Sequence, residues 1–162
     1  MPKPAPTAPL PPHLQTALAH CRGLVRKRAL MAAGVAVVPV PGLDWATDVA
    51  LLMRLIPQIN QAFGLSPAQV ARLAPDRQVA VYKAISAGGS LLVGKLVTRQ
   101  LVMKALSLVG VRLTAQQAAK VVPIAGQAVS AVLTYTALKT VCEMHIQQCL
   151  SVAQQLALPA PD

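Results

Sequence analysis

The sequence has few aromatic residues, and this scarcity limits the folds open to it. Its aromatic residues are Trp45, Phe63, Tyr82 and Tyr135. The apolar fraction is nevertheless 54%, so Val, Leu, Ile and Ala must build the core. Ala and Leu favour helices, and an all-β chain would need the Thr-rich and aromatic alternation that is missing here. We therefore predict an all-α fold, a compact bundle of five to seven helices with Pro/Gly corners and helical hairpins.

Acidic residues are also scarce, with five against fifteen basic ones, and the net charge is +10. Such a charge attracts anionic partners. We do not expect nucleic acid, because the basic residues stand singly between apolar ones, apart from "RGLVRKR" at 22–28, and few aromatic residues accompany them. High apolarity with positive charge suits an anionic membrane surface. The basic residues predicted to meet a membrane or a protein partner are Arg22, Arg26, Lys27, Arg28, Lys95 and Arg99. A solvated helix face is the alternative reading of the cluster at 22–28.

Catalytic motifs are missing as well. The stretch "SAGGSLLVGK" at 86–95 lacks the spacing of a phosphate-binding loop, and Leu96 follows Lys95 where that loop has Ser or Thr. No G-x-S-x-G or H-E-x-x-H pattern occurs. Asp44 and Asp48 share a helix face, but a helix N-terminus explains both carboxylates. We therefore predict a protein that is not an enzyme, has no catalytic residues and needs no cofactor.

The three cysteines are an odd number, and the Pro-rich start "MPKPAPTAPLPP" does not have the character of a signal peptide. Reduced thiols in a cytoplasmic protein are therefore expected. Cys142, His145 and Cys149 are spaced i, i+3, i+7 on the last predicted helix, a set that zinc accepts if His20 or Cys21 adds a fourth ligand. Buried cysteines more often behave as small hydrophobes on a core face. We expect no metal, and this trio is the one candidate for it.

Proline and glycine divide the chain into segments. Residues 1–12 and 157–162 are predicted tails around one helical domain at 13–156. Capping and breaking signals place the helices. The predicted helices are 13–38, 45–62, 66–74, 77–110 with a break at Gly88-Gly89, 115–122 and 126–156.

The phrases "VVPVPG" at 37–42 and "VVPIAG" at 121–126 interrupt apolar runs in the same way, which is typical of helix–helix corners. The predicted corner residues are Pro39, Pro41, Gly42, Asp44, Pro123 and Gly126. Small residues four apart predict close helix packing, and these are Ser86, Ser90, Gly94, Ser130 and Thr134. The uncharged runs 29–43 and 121–138 fall short of clean membrane spans, although a hairpin of two apolar segments stays open.

Three phrases carry a family resemblance: "VVPVPGLDWATDVALLMRLIPQINQAFGLS", "QVARLA" and "VVPIAGQAVSAVLTYTALKTVCEMHIQQC". They resemble the helical domain of unknown function found in bacterial GTPase-associated membrane proteins, the YcjF-like domain. They are also similar to the C-terminal helical part of immunity-related GTPases. The marks of the resemblance are Pro39, Pro41, Gly42, Leu43, Asp44, Phe63, Gly64, Leu65, Pro123, Ile124, Gly126, Ser130, Thr134 and Tyr135. This chain shows no GTPase domain, so the resemblance implies a helical module associated with membranes or with a GTPase partner, and it does not imply nucleotide hydrolysis.

These observations lead to one functional expectation. The chain is expected to be a non-enzymatic, membrane-associated helical module, accessory to a separately encoded GTPase or membrane-remodelling partner. A bacterial origin is expected, with a cytoplasmic location, peripheral to or partly inserted in the inner membrane. Homo-oligomerisation is left open. The alternatives are a soluble helical adaptor whose apolar segments all lie in its core, and an integral hairpin or pore-forming protein.

Overall fold

The computed structural model describes residues 9–35, 43–88, 92–94, 97–117 and 126–161. Within these ranges the chain forms six helices and no strand, so the predicted all-α fold is confirmed. The helices are α1 (Pro12–Val35), α2 (Leu43–Ala62), α3 (Pro67–Ala71), α4 (Pro75–Ala87), α5 (Arg99–Gln117) and α6 (Gly126–Gln155).

The longest helix, α6, lies at the centre of the fold, in contact with α1, α2, α4 and α5. Its inner face repeats at helical spacing, as a helix covered by neighbours on one broad side requires. The buried residues of this face are Leu138, Val141, Cys142, His145, Ile146, Cys149, Leu150, Val152 and Ala153. Helix α2 contributes Leu52, Leu55, Ile56, Ile59 and Phe63 to the same core. The core is thus aliphatic, with Phe63 as its buried ring.

Helices α1 and α6 pack most extensively of all, and they run antiparallel. Early in α1, His13 Nε2 lies 3.2 Å from the carbonyl oxygen of Leu158. Further along α1, Arg22 contacts Glu143 on α6. The opposite order of these two contacts along the two helices fixes their relative direction. Leu158, which lies in the predicted C-terminal tail, is buried, and its N–H donates to the Ala153 carbonyl at 3.1 Å.

The corner between α2 and α3 follows the predicted signals. Gly64 adopts a left-handed φ of 72° just after α2, where glycine has no steric penalty. Ser66 then caps α3: its Oγ accepts from the Gln69 N–H at 3.3 Å, and the Gln69 Oε1 accepts from the Ser66 N–H at 3.0 Å. This reciprocal arrangement is a capping box.

Replacing Ser66 with Ala is expected to lower the free energy of unfolding by about 1 kcal/mol, because the Gln69 N–H loses its acceptor. Urea denaturation followed by circular dichroism measures the change. Ser86→Ala is the matched control, since Ser86 is exposed within α4, and it should change stability by less than about 0.5 kcal/mol. Equal effects of the two substitutions would contradict a capping role for Ser66.

Two of the predicted helix boundaries are wrong. The predicted end at Gly110 and the separate short helix at 115–122 are replaced by one helix, α5, which runs through Gly110 to Gln117. A helical Gly costs only about 1 kcal/mol relative to Ala, and the Leu- and Val-rich residues around it continue the helix. The predicted break near Gly88 is confirmed, because Gly88 caps α4 and its N–H donates to the Ala84 carbonyl at 3.0 Å. Pro57 lies inside α2, which continues through it.

The predicted corner residues fall largely outside the described part of the chain. This applies to Pro39, Pro41, Gly42 and Pro123. Gly126 begins α6, as predicted, and Asp44 lies in the first turn of α2. Among the described residues, none of the helices combines the length and the hydropathy needed to cross a bilayer.

Candidate functional site

The outward face of α1 carries the predicted basic cluster. Positions 23, 26, 27, 30, 31 and 34 are spaced i, i+3, i+4, i+7, i+8 and i+11, so they share one side of the helix. All six are exposed. The opposite side of α1, with Cys21, Val25 and Ala29, is buried. Helix α1 is therefore held in the fold by one face and presents the other to its surroundings.

The outward face changes character along its length. Arg26 and Lys27 come first. Arg28 is also exposed, but it lies about 100° round the helix from Lys27, at the edge of this face. Leu30 and Met31 follow one turn later, with 54% and 59% of their surfaces exposed. Sequence reasoning identified the basic residues but missed this apolar pair, although its i+4 spacing from Arg26 and Lys27 was a readable signal. The sequence placed the pair only within the uncharged run 29–43, which falls short of a clean membrane span.

Arg22 does not belong to this free basic group. Its Nε lies 3.0 Å and 3.3 Å from the two carboxylate oxygens of Glu143, and its Nη2 also donates to that carboxylate. The hydrogen bond from Arg22 lowers the pKa of Glu143, and the same bond raises the pKa of Arg22. Both side chains are substantially exposed, so water screens the pair and its net contribution to stability is small. Its structural effect is to fix the register of α1 against α6.

Lys139 extends the positive surface onto α6. It is exposed, lies one turn from Glu143, and its Nζ is 5.8 Å from the centroid of the Tyr135 ring. Because Arg26 is likewise one turn beyond Arg22, the antiparallel register brings Arg26 and Lys139 to the same level of the helix pair. A recess of about 640 Å³ runs along this side of α6. It is lined by Tyr135, Thr136, Lys139, Thr140, Glu143, Met144, Gln147 and Gln148.

The remaining basic and small residues of the prediction are dispersed. Arg99 is exposed at the start of α5, and Lys95 lies outside the described residues. Ser86, predicted to pack against a helix, is exposed, because the buried side of α4 is formed by Val81 and Ile85. Gly94 lies in a turn rather than on a helix.

Gly94 nonetheless allows a close approach. Its φ is 65°, and a Cβ at this position would lie 2.8 Å from Ile85 Cδ1. Of the other predicted packing residues, Thr134 is half-buried in α6. The side chain of Ser130 and all of Ser90 lie outside what the structure describes. The predicted stripe on the segment around Ser86 is therefore wrong in its geometry, although Gly94 does pack closely.

The Cys/His face of α6 is a core face. Cys142, His145 and Cys149 are all buried. Cys149 Sγ donates to Asn60 Oδ1 at 3.4 Å and lies 3.6 Å from His145 Nε2, while Asn60 Nδ2 donates to the Leu92 carbonyl at 3.2 Å. No group of three or more His, Cys, Asp or Glu side chains among the described residues could hold a metal. Cys142, His145 and Cys149 therefore do not form a metal site. The further polar group in contact with Cys149 is the amide of Asn60.

Burial sets the ionisation of this cluster. Burial raises the pKa of Cys21 to about 11 and that of Cys142 to about 12, and it also raises the pKa of Cys149. These thiols stay protonated and unreactive near neutral pH. Burial lowers the pKa of His145 to about 4. The Ile56 carbonyl slightly opposes that shift, but it falls short of hydrogen-bond geometry and Nδ1 has no partner.

Both residues of the carboxylate pair, Asp44 and Asp48, lie on α2. Asp48 is half-buried in α2 and has an interaction partner. The side chain of Asp44 lies outside the described residues, although its backbone is in the first turn of α2. Asp44 therefore occupies a helix N-terminal turn, where a carboxylate interacts favourably with the helix dipole.

Comparison with known proteins gives one partial relation. Over 50 residues the chain is 48% identical to the mouse protein described as "Immunity-related GTPase family Q protein". The matched stretch is 31% of this chain and 9% of the mouse protein, so the chain matches only a small part of that relative. No family model matches the chain. No solved structure matches it either.

The partial match supports a loose relation to immunity-related GTPases. It does not extend to the bacterial YcjF-like domain, and a match to a mouse protein gives no support to a bacterial origin.

Proposed function

We propose that this chain is a non-enzymatic helical module that binds anionic membrane surfaces through the outward face of α1. The observation that carries the proposal is the exposed basic group Arg26, Lys27 and Arg28. Among the described residues none of the three is paired with a carboxylate. They stand on a protein with a net charge of +10, and anionic lipid is an abundant counterpart for such a surface.

The magnitude is sufficient for reversible binding. Each Lys or Arg near an anionic leaflet contributes about 1 kcal/mol, so three of them contribute about 3 kcal/mol, roughly a hundredfold in affinity. Arg22 adds less, because Glu143 already neutralises it. Lys139, at the level of Arg26 on α6, adds to the same surface.

The loose relation to immunity-related GTPases adds a partner to the proposal. The module would serve a separately encoded GTPase, or another membrane-remodelling partner, by bringing it to the bilayer. The basic face of α1 meets lipid in this arrangement, which leaves the outward faces of α4 and α5 for protein contacts.

Replacing Arg26, Lys27 and Arg28 with Glu is expected to weaken binding to vesicles by about a hundredfold or more, because attraction becomes repulsion. Co-sedimentation with vesicles of 30% phosphatidylserine in phosphatidylcholine measures the change. The matched control is R72E/R77E/K83E, which reverses three charges at exposed positions directly after α3 and on α4. Equal loss in both variants would show that net charge alone acts, and absence of binding by the unaltered protein would refute the proposal.

A second candidate, a soluble adaptor, is favoured by the outward face of α4. Val79 and Tyr82 are spaced i, i+3 and are both more than half exposed. An apolar pair of this kind fits a partner helix. A monodisperse protein that ignores anionic vesicles, but loses a protein partner when Val79 and Tyr82 become Ser, would favour the adaptor over the membrane module.

A further inference from the structure

We infer that Leu30 and Met31 insert into the acyl boundary of an anionic bilayer. As a result, α1 prefers loosely packed membranes and stays bound to them at high salt concentration. The inference rests on the proposed function and specifies its lipid target. It concerns the apolar half of the α1 face, which electrostatic binding alone leaves without a role.

The pair is apolar and yet exposed on α1. Apolar residues on α1 could point inward, as Val25 and Ala29 do. Leu30 and Met31 instead point outward, with more than half of each side chain's surface in contact with water. They are adjacent in sequence and continue the helical row begun by Arg26 and Lys27. One turn of the helix, about 5.4 Å, therefore separates the basic pair Arg26 and Lys27 from the apolar pair Leu30 and Met31.

This order of charges and apolar groups matches the profile of a leaflet. When Arg26 and Lys27 reach the phosphates, Leu30 and Met31, one turn further along the helix, reach the upper acyl chains. Amphipathic helices bury their apolar face to a depth of about 5–10 Å. Long Arg and Lys side chains can extend back toward the headgroups from such a position. Helix α1 would then meet the membrane obliquely, with its C-terminal half deeper.

Helix α6 carries further apolar and aromatic groups at the level of Leu30 and Met31. Arg22 contacts Glu143, and the helices are antiparallel, so Leu30 lies at about the level of Tyr135. Val132, one turn further along α6 in the same direction, is 60% exposed. Tyr135 is half-buried beneath Lys139. An apolar group and a Tyr ring, a residue type enriched at membrane interfaces, thus lie on the neighbouring helix at about the same level as the pair.

Charge selects lipid over a second copy of this chain. A symmetric dimer through this face would bring Arg26 and Lys27 of both copies together, and like charges across an interface oppose association. An anionic bilayer meets both halves of the face at once. An acidic protein helix is the competing occupant, and the experiment distinguishes it.

The test compares the unaltered protein with L30S/M31S on phosphatidylserine-containing vesicles at 0.1 M and 0.5 M NaCl. We expect the unaltered protein to remain bound at 0.5 M, where charge interactions are strongly screened. L30S/M31S should bind about tenfold more weakly at 0.1 M and be released at 0.5 M, because the apolar contribution is lost. The control V79S/Y82S removes an equally exposed apolar pair from α4 and should bind as the unaltered protein does.

Two glycines on the same face allow a gain of affinity to be tested. A Cβ at Gly23 or at Gly34 would meet no atom within 4 Å, so a larger side chain fits at either position. Gly34→Leu adds an apolar side chain beside Leu30 and Met31 and should tighten binding about fivefold. The gain should be larger on small unsaturated vesicles than on large saturated ones. Gly23 precedes Arg26 and Lys27 along α1, on the side away from Leu30 and Met31. Gly23→Leu should therefore change affinity by less than about twofold.

The outcomes separate the inference from the proposed function. If L30S/M31S binds as tightly and as resistantly to salt as the unaltered protein, insertion is refuted while electrostatic binding stands. If both bind and both are released by 0.5 M NaCl, insertion is refuted in the same way. If the unaltered protein does not bind at all, the proposed function fails and the inference with it. If L30S/M31S keeps full lipid binding but loses a protein partner in photocrosslinking at residue 27, the occupant is a protein helix and the inference is overturned.

Discussion

Replacing Phe63 with Ala is expected to lower the free energy of unfolding by about 3–5 kcal/mol, because the cavity left by a buried ring closes only partly. Phe63 is almost completely buried, and it is the largest such side chain in the core. It lies at the end of α2, directly before the left-handed Gly64. The other apolar residues in the described part of the core are aliphatic or are cysteines.

The size of this effect decides whether the variant folds. Domains of this size have about 5–15 kcal/mol of stability, so Phe63→Ala removes a large share of it. Urea denaturation gives the change in midpoint at constant slope. Phe63→Leu should cost less, because it leaves a smaller void, and Tyr82→Ala should cost under about 1 kcal/mol, since Tyr82 is 54% exposed. A loss at Tyr82 as large as that at Phe63 would contradict the assignment of the core.

Acidification from pH 6.5 to pH 4 is expected to remove about 3 kcal/mol of stability through His145. Burial holds its pKa at about 4 in the folded protein, against 6.5 for a solvent-exposed histidine. The unfolded chain therefore binds the proton first as the pH falls, and stability declines between those values. Stability from this group is fully present above pH 6.5. The difference between a pKa of 6.5 and a pKa of about 4, at 1.36 kcal/mol for each pH unit, corresponds to about 3.4 kcal/mol, of which about 3 kcal/mol is lost by pH 4.

The surroundings of His145 explain why the fold does not accommodate the charge. Cys149 is 3.6 Å from Nε2, and the thiol side chains of Cys142 and Cys21 are the other titratable groups in this part of the core. The polar neighbour of Cys149, Asn60, uses its carbonyl oxygen for that thiol and its amide for Leu92. No carboxylate among the described residues pairs with His145. The imidazolium would therefore be buried without a counter-charge.

The pH dependence is measured by urea titrations at pH 7, 5.5 and 4. His145→Leu should flatten the profile, because the titrating group is gone and its neighbours stay apolar or protonated. His20→Leu is the matched control, since His20 is exposed on α1, and it should retain the full decline. A profile that is unchanged by His145→Leu would assign the acid sensitivity to carboxylates, such as Glu143 with its lowered pKa.

Local signals predicted local structure well. The Ser-Pro start of α3, the glycine after α2 and the break at Gly88 all follow from backbone chemistry within a few residues. The extension of α5 through Gly110 was missed because a glycine in a helix costs little when its neighbours favour the helix. The small residue Ser86 was assigned to packing, but only the position of Val81 and Ile85 determines which side of α4 is buried.

Long-range pairings could not be predicted from the sequence. Asn60 and Cys149 are 89 residues apart, and nothing in either segment indicates that they meet. The pairing of Arg22 with Glu143 likewise divides the basic cluster, although its sequence reads as one group. The spacing of the Cys/His trio correctly placed it on one face of the last helix. The trio is buried because other helices cover that face, and the sequence does not indicate which helices do so.

The antiparallel pairing of α1 with α6 also has a consequence during synthesis. The two partners in the Arg22–Glu143 contact are 121 residues apart, which corresponds to a delay on the order of ten seconds on a ribosome. Throughout that interval the inner side of α1, with Cys21, Val25 and Ala29, lacks the helix with which it packs most extensively, although α2 is made earlier. The nascent chain therefore presents an amphipathic basic segment long before the central helix exists. Helix α1 can therefore dock on α6 only after most of these 162 residues have been synthesised.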